Sequence, residues 1–377
     1  MFNVIILGIT SFLTDISSEM VYPLLPLYLT TRLGASPAIV GLIEGIAESL
    51  ASLLKVSSGH VSDRMGRRKP LAILGYASST VGKFLLYLST SWGWVLGGRV
   101  TDRLGKGIRT APRDALIADS TSQAQRGSAY GLHRALDTAG AAVGVALAYA
   151  FLTVYQGDYT AVFLYSMIPA GLGVAILLLA REPAGRTPGT SQTLSLRWAA
   201  LPRRLQAFLM VVFLFALGNS SNQFLLLRAQ GLGFASRTVL LLYLTYNLVY
   251  ALVAYPAGHL SDRIGRKRLL VLGYLSYGLV YLGFALVHAP AYLWGLFAAY
   301  GIYIALTEGV EKALVADIAP LELRATLIGL HATFVGIGLL PASLLAGLLW
   351  NRFGPEATFY FGGGLGLLAA LGLWWVI

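Results

Sequence analysis

Gly59-His60-Val61-Ser62-Asp63-Arg64-Met65-Gly66-Arg67-Arg68-Lys69 returns as Gly258-His259-Leu260-Ser261-Asp262-Arg263-Ile264-Gly265-Arg266-Lys267-Arg268, 199 positions on. Each copy closes one long apolar run and opens the next. A second block repeats in the same order: Ala115-Leu116-Ile117-Ala118-Asp119 matches Ala313-Leu314-Val315-Ala316-Asp317 at an offset of 198. On that offset Arg126 meets Arg324, and Gly131-Leu132-His133 meets Gly329-Leu330-His331. Two ordered matches at nearly equal offsets predict a duplicated chain whose halves are homologous bundles of membrane helices, with a site between them.

Composition points the same way. Of 377 residues, 56% are hydrophobic and only 12% charged, about half the charge of a soluble domain. An integral membrane protein follows. The net charge of +11, from 28 Lys and Arg against 17 Asp and Glu, falls mostly in alternate loops, as membrane topology requires; nucleic-acid binding is not needed to explain it. Cysteine is absent, so there is no disulfide framework, thiolate metal site or catalytic thiol. His60, His133, His259 and His331 occupy repeat-related positions, which implies shared packing rather than one metal shell. No hydrolase motif is present, and Leu104-Gly105-Lys106-Gly107 lacks the spacing of a phosphate-binding loop. The chain reads as a non-enzyme without cofactor or metal.

Crossing about 30 Å of hydrocarbon takes roughly 20 helical residues. Twelve stretches fit: 3–30, 37–61, 70–90, 92–111, 128–154, 160–180, 206–230, 237–259, 269–288, 291–316, 324–350 and 357–377. The expected fold is all-α: twelve transmembrane helices in two pseudo-symmetric six-helix bundles. The N-terminus lacks a basic leader and a small-residue cleavage site, so the first span is expected to be retained. The long polar stretch near mid-chain, with Pro183, Gly185, Pro188 and Gly189, reads as a linker. The expected division is a bundle over 1–182, a cytoplasmic linker over 183–204 and a bundle over 205–377. Loops after even-numbered spans hold Arg64, Arg67, Arg68, Lys69, Arg113, Arg126, the linker arginines, Arg263, Arg266, Lys267, Arg268 and Arg324; the opposite loops hold little beyond Arg32, Arg237 and Arg352. Both termini are therefore expected in the cytoplasm.

The paired Gly-x-x-x-Asp-Arg-x-Gly-Arg hairpins resemble the signature loop of the major facilitator superfamily, transporters built from two six-helix bundles. The resemblance covers the whole chain. It implies alternating access, with Gly59, Asp63, Arg64, Gly66, Arg67, Asp262, Arg263 and Gly265 as a conformational latch and spans 1, 4, 7 and 10 lining a cavity. Arg99, Asp102, Gly105 and Gly107 resemble the family's fourth-span motif, whose arginine is associated with proton coupling; Asp102 and Arg103 stand where Gln and Gly are common. The family's antiporter pattern Gly-x-x-x-Gly-Pro is met by Gly140 and Gly144 but then by Val145. The run Lys106 to Asp114 resembles a prokaryotic branch of the superfamily.

Charges inside the membrane carry the sharper signal, because each costs roughly 2.5–3.5 kcal/mol at mid-helix on insertion scales. Asp15 and Glu19 share one face of the first span, and Glu44 and Glu48 one face of the second. Lys83, Arg99, Asp102, Arg103, Lys106, Arg134 and Asp137 follow. At about 1.5 Å per residue, Asp15, Glu48 and Asp102 come out near the midplane. Asp15, Glu19, Glu44, Glu48 and Asp102 are the proton-coupling candidates, since burial raises a carboxyl's proton affinity and a nearby arginine lowers it. The alternative is a structural ion-pair network. In the second half Asn219 and Gln223 align with Asp15 and Glu19, and Tyr243 and Asn247 with Glu44 and Glu48. Ion coupling in the first half and substrate contact in the second is the expected division of labour. The cavity candidates are Arg99, Arg103, Lys106, Asn219, Asn222, Gln223, Tyr243, Tyr246, Asn247, Glu308 and Glu311.

The expected function is a proton-coupled secondary transporter, monomeric, in a prokaryotic inner membrane, exporting an amphipathic or drug-like small molecule. Its partners are that solute, protons and the lipid bilayer, with no nucleic acid. Uptake of a small anion on Arg99, Arg103, Lys106 and Arg109 is one alternative. A lipid-translocating or non-transporting membrane protein is the other.

Overall fold

The computed structural model describes residues 2–121, 126–182, 201, 203–318 and 324–376. Twelve helical segments occupy them. They are α1 (Phe2–Thr31), α2 (Pro37–Met65), α3 (Lys69–Tyr87), α4 (Trp92–Asp119), α5 (Arg126–Val154), α6 (Tyr159–Leu177), α7 (Arg203–Gly231), α8 (Ser236–Ile264), α9 (Arg266–Leu286), α10 (Tyr292–Ile318), α11 (Arg324–Phe353) and α12 (Pro355–Val376). The twelve expected spans are all present. Several helices run further than hydropathy suggested: α2 continues to Met65 and α4 to Asp119, because a helix propagates through polar residues once it leaves the apolar layer. Most of the expected linker, 183–200 and 202, lies outside the described residues.

Among the described residues nine segments are long and apolar enough to cross a membrane. The three that fall short are α2, α3 and α4, and these carry Glu48, Lys55, Lys83, Arg99, Asp102, Arg103, Lys106 and Arg109.

Contacts divide the chain into two compact units, Met1–Leu33 with Ile46–Thr193 and Gly34–Gly45 with Leu194–Ile377. The first turns of α2 group with the second unit because Gly41 and Gly45 present bare backbone to Ser343 and Leu340 of α11. In the first unit the main packings are α1 on α5, α1 on α6, α3 on α6 and α3 on α4. In the second they are α9 on α12, α8 on α10, α9 on α10, α7 on α12 and α7 on α11. Apart from α8 on α10, every helix number rises by six, so most of the packing follows the sequence repeat.

Without a hydrophobic drive between helices in lipid, small residues let backbones approach and dispersion does the rest. Gly75 and Gly82 of α3 face Gly105 and Gly98 of α4, each so near that an added methyl would strike the partner's backbone. Gly140 and Gly144 of α5 lie in the same way on the Phe12 and Ile16 carbonyls of α1. The Gly-x-x-x-Gly that departs from the antiporter pattern is thus a seam between α1 and α5. Both first helices of the halves are interrupted, α1 by a 3-10 turn at Tyr22–Leu24 and α7 between Gly218 and Gln223.

Candidate functional site

The α3–α4 seam sets the charged locus of the first unit. Gly82 brings Lys83 down on Asp102, Nζ to Oδ1 3.2 Å. The other Asp102 oxygen takes Arg99 at 3.3 Å and Arg103 at 3.0 Å. Arg103 also reaches Glu48 of α2 at 3.1 Å, and Arg99 the same oxygen at 3.7 Å. Asp102 is 4% exposed, Lys83 2% and Arg99 2%; charges this deep are tolerable only in such a mutually compensated set. Below it, Arg109 stacks on the Tyr76 ring at 4.4 Å and donates to Ser79 Oγ.

The α1–α5 seam sets a second locus. Asp137 sits one turn before Gly140, and its carboxyl is an electrostatic neighbour of Asp15 across the seam. Ser11 Oγ donates to Asp137 Oδ1 at 2.6 Å, and Arg134 approaches the other oxygen at 3.4 Å. Lys106 feels both Glu48 and Asp15, linking the two loci electrostatically. Glu19 is half-buried on α1, and Glu44, 1% exposed, groups with the second unit. The structure therefore brings together Glu48, Arg99, Asp102 and Arg103, and separately Asp15 with Asp137.

The second unit has a cavity of about 230 Å³ at the α7 interruption, lined by Phe215, Asn219, Asn222, Tyr300, Tyr303, Glu308 and Glu311 among others. Tyrosines stitch the interruption. Tyr277 OH donates to the Gly218 carbonyl at 2.7 Å, Tyr300 OH to Asn222 Oδ1 at 2.6 Å, and Asn219 Nδ2 to Tyr303 OH at 3.1 Å. Tyr246 joins through Asn222 Nδ2 at 3.4 Å. Tyr243 packs edge-on against Tyr246 at 5.0 Å, and Asn247 donates to its own helix at the Tyr243 carbonyl. Gln223 is fully buried beside the break. Of the expected cavity residues, Asn219, Asn222, Glu308 and Glu311 line this space; Gln223, Tyr243, Tyr246 and Asn247 do not.

Sequence reasoning missed four partners. Asp137 is visible as a charge, but only the glycine seam puts it beside Asp15. Tyr300 and Tyr303 are not singled out by the sequence reading. Yet on the offset of 198, Lys83 becomes Tyr281, Arg99 becomes Phe297 and Asp102 becomes Tyr300, so the repeat itself marked the place. His331 was set aside with its repeat partners. It is 4% exposed, with Nε2 3.2 Å from Glu311 Oε2, and its partner His133 is buried too, whereas His60 and His259 are both exposed.

At the hairpins, Gly66 and Gly265 turn the chain at φ of 64° and 93°, where side chains are disfavoured. Arg64, Arg67 and Arg263 are exposed. The side chains of Asp63 and Asp262 lie outside the described residues. Gly59 faces Ala111, while Gly258 faces open space. The carboxylate on the α3 N-terminus is Glu182, which accepts from the backbone N–H of Arg68 at 2.7 Å and Lys69 at 2.9 Å; the helix dipole favours an anion there. Lys69 Nζ returns the contact on the Leu178 carbonyl near the end of α6, at 2.8 Å. Arg68, 4% exposed, bonds Ser62 at 2.8 Å and Asp119 at 3.5 Å.

Two homologous six-helix units with compensated charges inside define a polytopic α-helical membrane protein of duplicated design. A profile of the Major Facilitator Superfamily matches residues 7–235 and 208–377, and the chain belongs to that family. An uncharacterized MFS-type transporter of Methanocaldococcus jannaschii is 40% identical over 376 residues, spanning 98% of this chain and 93% of its own length. The inner membrane transport protein YajR of Escherichia coli is 25% identical, over 97% of this chain and 81% of its own. Among solved structures, the nucleoside transporter NupG superposes with a TM-score of 0.81 over 100% of this chain and 99% of its own, at 14% identity. A D-xylose-proton symporter gives 0.80 over 100% and 98%, at 16% identity. The chain is a multi-pass secondary transporter for a small molecule.

Proposed function

We propose that the protein couples transport of an amphipathic small molecule, in the export direction, to protons bound at Asp15 and Asp137, working by alternating access as a monomer in a prokaryotic inner membrane with both termini cytoplasmic. What supports the reading is that Asp15 of α1 and Asp137 of α5 are electrostatic neighbours across the glycine seam, where two like charges disfavour joint ionisation and favour one bound proton. Lys106 acts on Asp15 from α4, so a rearrangement that changes their separation changes the proton affinity of the pair. Asp102 and Glu48 serve as fixed counter-charges to Lys83, Arg99 and Arg103, and Glu19 as an accessory acid on the Asp15 face. The latch role belongs to the Gly59–Lys69 and Gly258–Arg268 hairpins. The bundles divide at 182 and 205.

Anion uptake is the weaker reading. Of its four cations, Arg99 and Arg103 are engaged by Asp102 and Glu48, and Arg109 by Ser79 and Tyr76.

The test is reconstitution into vesicles loaded with a pH-sensitive dye, with benzyltrimethylammonium as the amphipathic probe. The wild type should move protons when the probe is added. Asp15→Asn should abolish this while leaving probe exchange at equilibrium intact. Proton movement at wild-type rate in Asp15→Asn would overturn the assignment.

A further inference from the structure

The cavity at the α7 interruption has a charge character of its own. Two carboxylates, Glu308 and Glu311, face it three residues apart on α10, and no Lys or Arg is among its described lining residues. The rest of the wall is largely aromatic or aliphatic, with Phe215, Tyr300 and Tyr303 as the rings. Tyr300 and Tyr303 lie 5.2 Å apart with planes at 50°, and Tyr303 lies 6.1 Å from Phe215. Ring faces carry negative potential and attract cations, more strongly once water is excluded. A volume of about 230 Å³ falls under the ~300 Å³ at which sites for larger drug-sized ligands begin. One ring and one small ammonium fit; a bulky polycyclic dye does not.

Glu311 is approached from two further helices. Tyr274 OH of α9 donates to its Oε1 at 3.0 Å. His331 of α11 brings Nε2 to 3.2 Å from Oε2, yet without the alignment of a hydrogen bond, so this buried nitrogen has no aligned acceptor. The ring is held by stacking on Phe208, 6.2 Å away and 8° from parallel. The other groups facing Glu311 are Tyr303 and Glu308 of its own helix and Asn219 of α7; the Lys312 side chain lies outside the described residues.

We propose that this cavity binds a compact aromatic ammonium ion, its cationic head at Glu311 and Glu308 and its ring between Tyr300, Tyr303 and Phe215. This rests on the transporter reading and narrows its substrate class, but places the recognition in the second unit, apart from the Asp15–Asp137 pair.

The experiment is equilibrium binding to the purified full-length chain, without any gradient, using benzyltrimethylammonium, benzyl alcohol and benzoate as probes. At pH 7.5 the ammonium should bind at least tenfold more tightly than benzyl alcohol, and benzoate not at all. Glu311→Gln keeps an acceptor for Tyr274 and should weaken ammonium binding at least tenfold. Equal binding of the three probes, or full affinity in a folded Glu311→Gln protein, would each overturn the proposal. If Glu311→Gln does not accumulate, Tyr303→Leu decides, with a several-fold loss expected and no loss refuting. Asp15→Asn should bind normally: wild-type proton movement in Asp15→Asn with intact ammonium binding refutes only the coupling mechanism, and proton-coupled ammonium transport that survives Glu311→Gln refutes only this proposal.

Discussion

Between the same pair of helices, the two halves put different chemistry. In the first, α3 and α4 enclose Lys83, Arg99, Asp102 and Arg103 around shared carboxylate oxygens. In the second, α9 and α10 enclose Tyr281, Phe297, Tyr300 and Tyr303, with Tyr281 and Tyr300 6.2 Å apart where the first half has Lys83 and Asp102. Glycine pairs set the close approach of α3 and α4, whereas at the repeat positions Gly82, Gly98 and Gly105 become Val280, Leu296 and Tyr303 and only Gly273 is kept, so α9 and α10 meet through side chains. The teaching is that duplication preserves the frame and frees its contents. One copy keeps ionised groups in oil at a cost; the other fills the same place with rings that are apolar in body and polar at one end.

Single substitutions can break or sharpen that contrast. The largest effect should come from Asp102→Ala, which strands Lys83, Arg99 and Arg103 without their common counter-charge. Removing one partner of a buried ion set costs about 3–5 kcal/mol. Thermal unfolding of the purified protein should show a deeply lowered midpoint, and a small shift would mean the charges are wetter than the structure implies. Tyr300→Phe, at the equivalent place, should cost about 1–3 kcal/mol by leaving Asn222 Oδ1 without that donor. If it matches Asp102→Ala, the two halves are not as different as they look.

The seams come next. Gly105→Val drives a side chain into the Gly75 carbonyl and should cost about 1–3 kcal/mol by overpacking, whereas Gly258→Ala, with open space before it, should leave the midpoint unmoved. The smallest effect tests the helix starts. Asp158 caps α6 by accepting from Thr160 N–H at 2.9 Å, while its counterpart α12 starts on Pro355 and Glu356. Asp158→Ala should cost about 1 kcal/mol. The hydrogen bonds from Thr160 hold the Asp158 carboxyl below its usual range. The cap's contribution is thus present above the unfolded value near 4 and fades as pH falls below it. An acid titration of unfolding in which wild type and Asp158→Ala converge below that pH would support this; a constant gap would not.

The repeat, the twelve spans, the broken symmetry of charge and the acids of α1, α2 and α4 were all legible in the chain, because each is a property of composition along a line. Hydropathy counts residues, and a charge every few positions in an apolar run is visible without coordinates. Partnership was not. Asp137 is 122 positions from Asp15, and Lys83 and Asp102 meet only through a pair of helices wound tightly at Gly82 and Gly98. Glu182 reads as the edge of a linker until its carboxylate is seen on the start of α3. His331 reads as a repeat residue until it lies beside Glu311.

What the order of amino acids settled here was the class of solvent each stretch must face, since transfer from water to oil depends on the side chains themselves. Which charge neutralises which, and which acid is left with another acid, was decided by distances of a few ångströms between helices remote in sequence. Coulomb attraction and hydrogen bonding fall off over that same range, so only the folded arrangement could choose among the possible pairs.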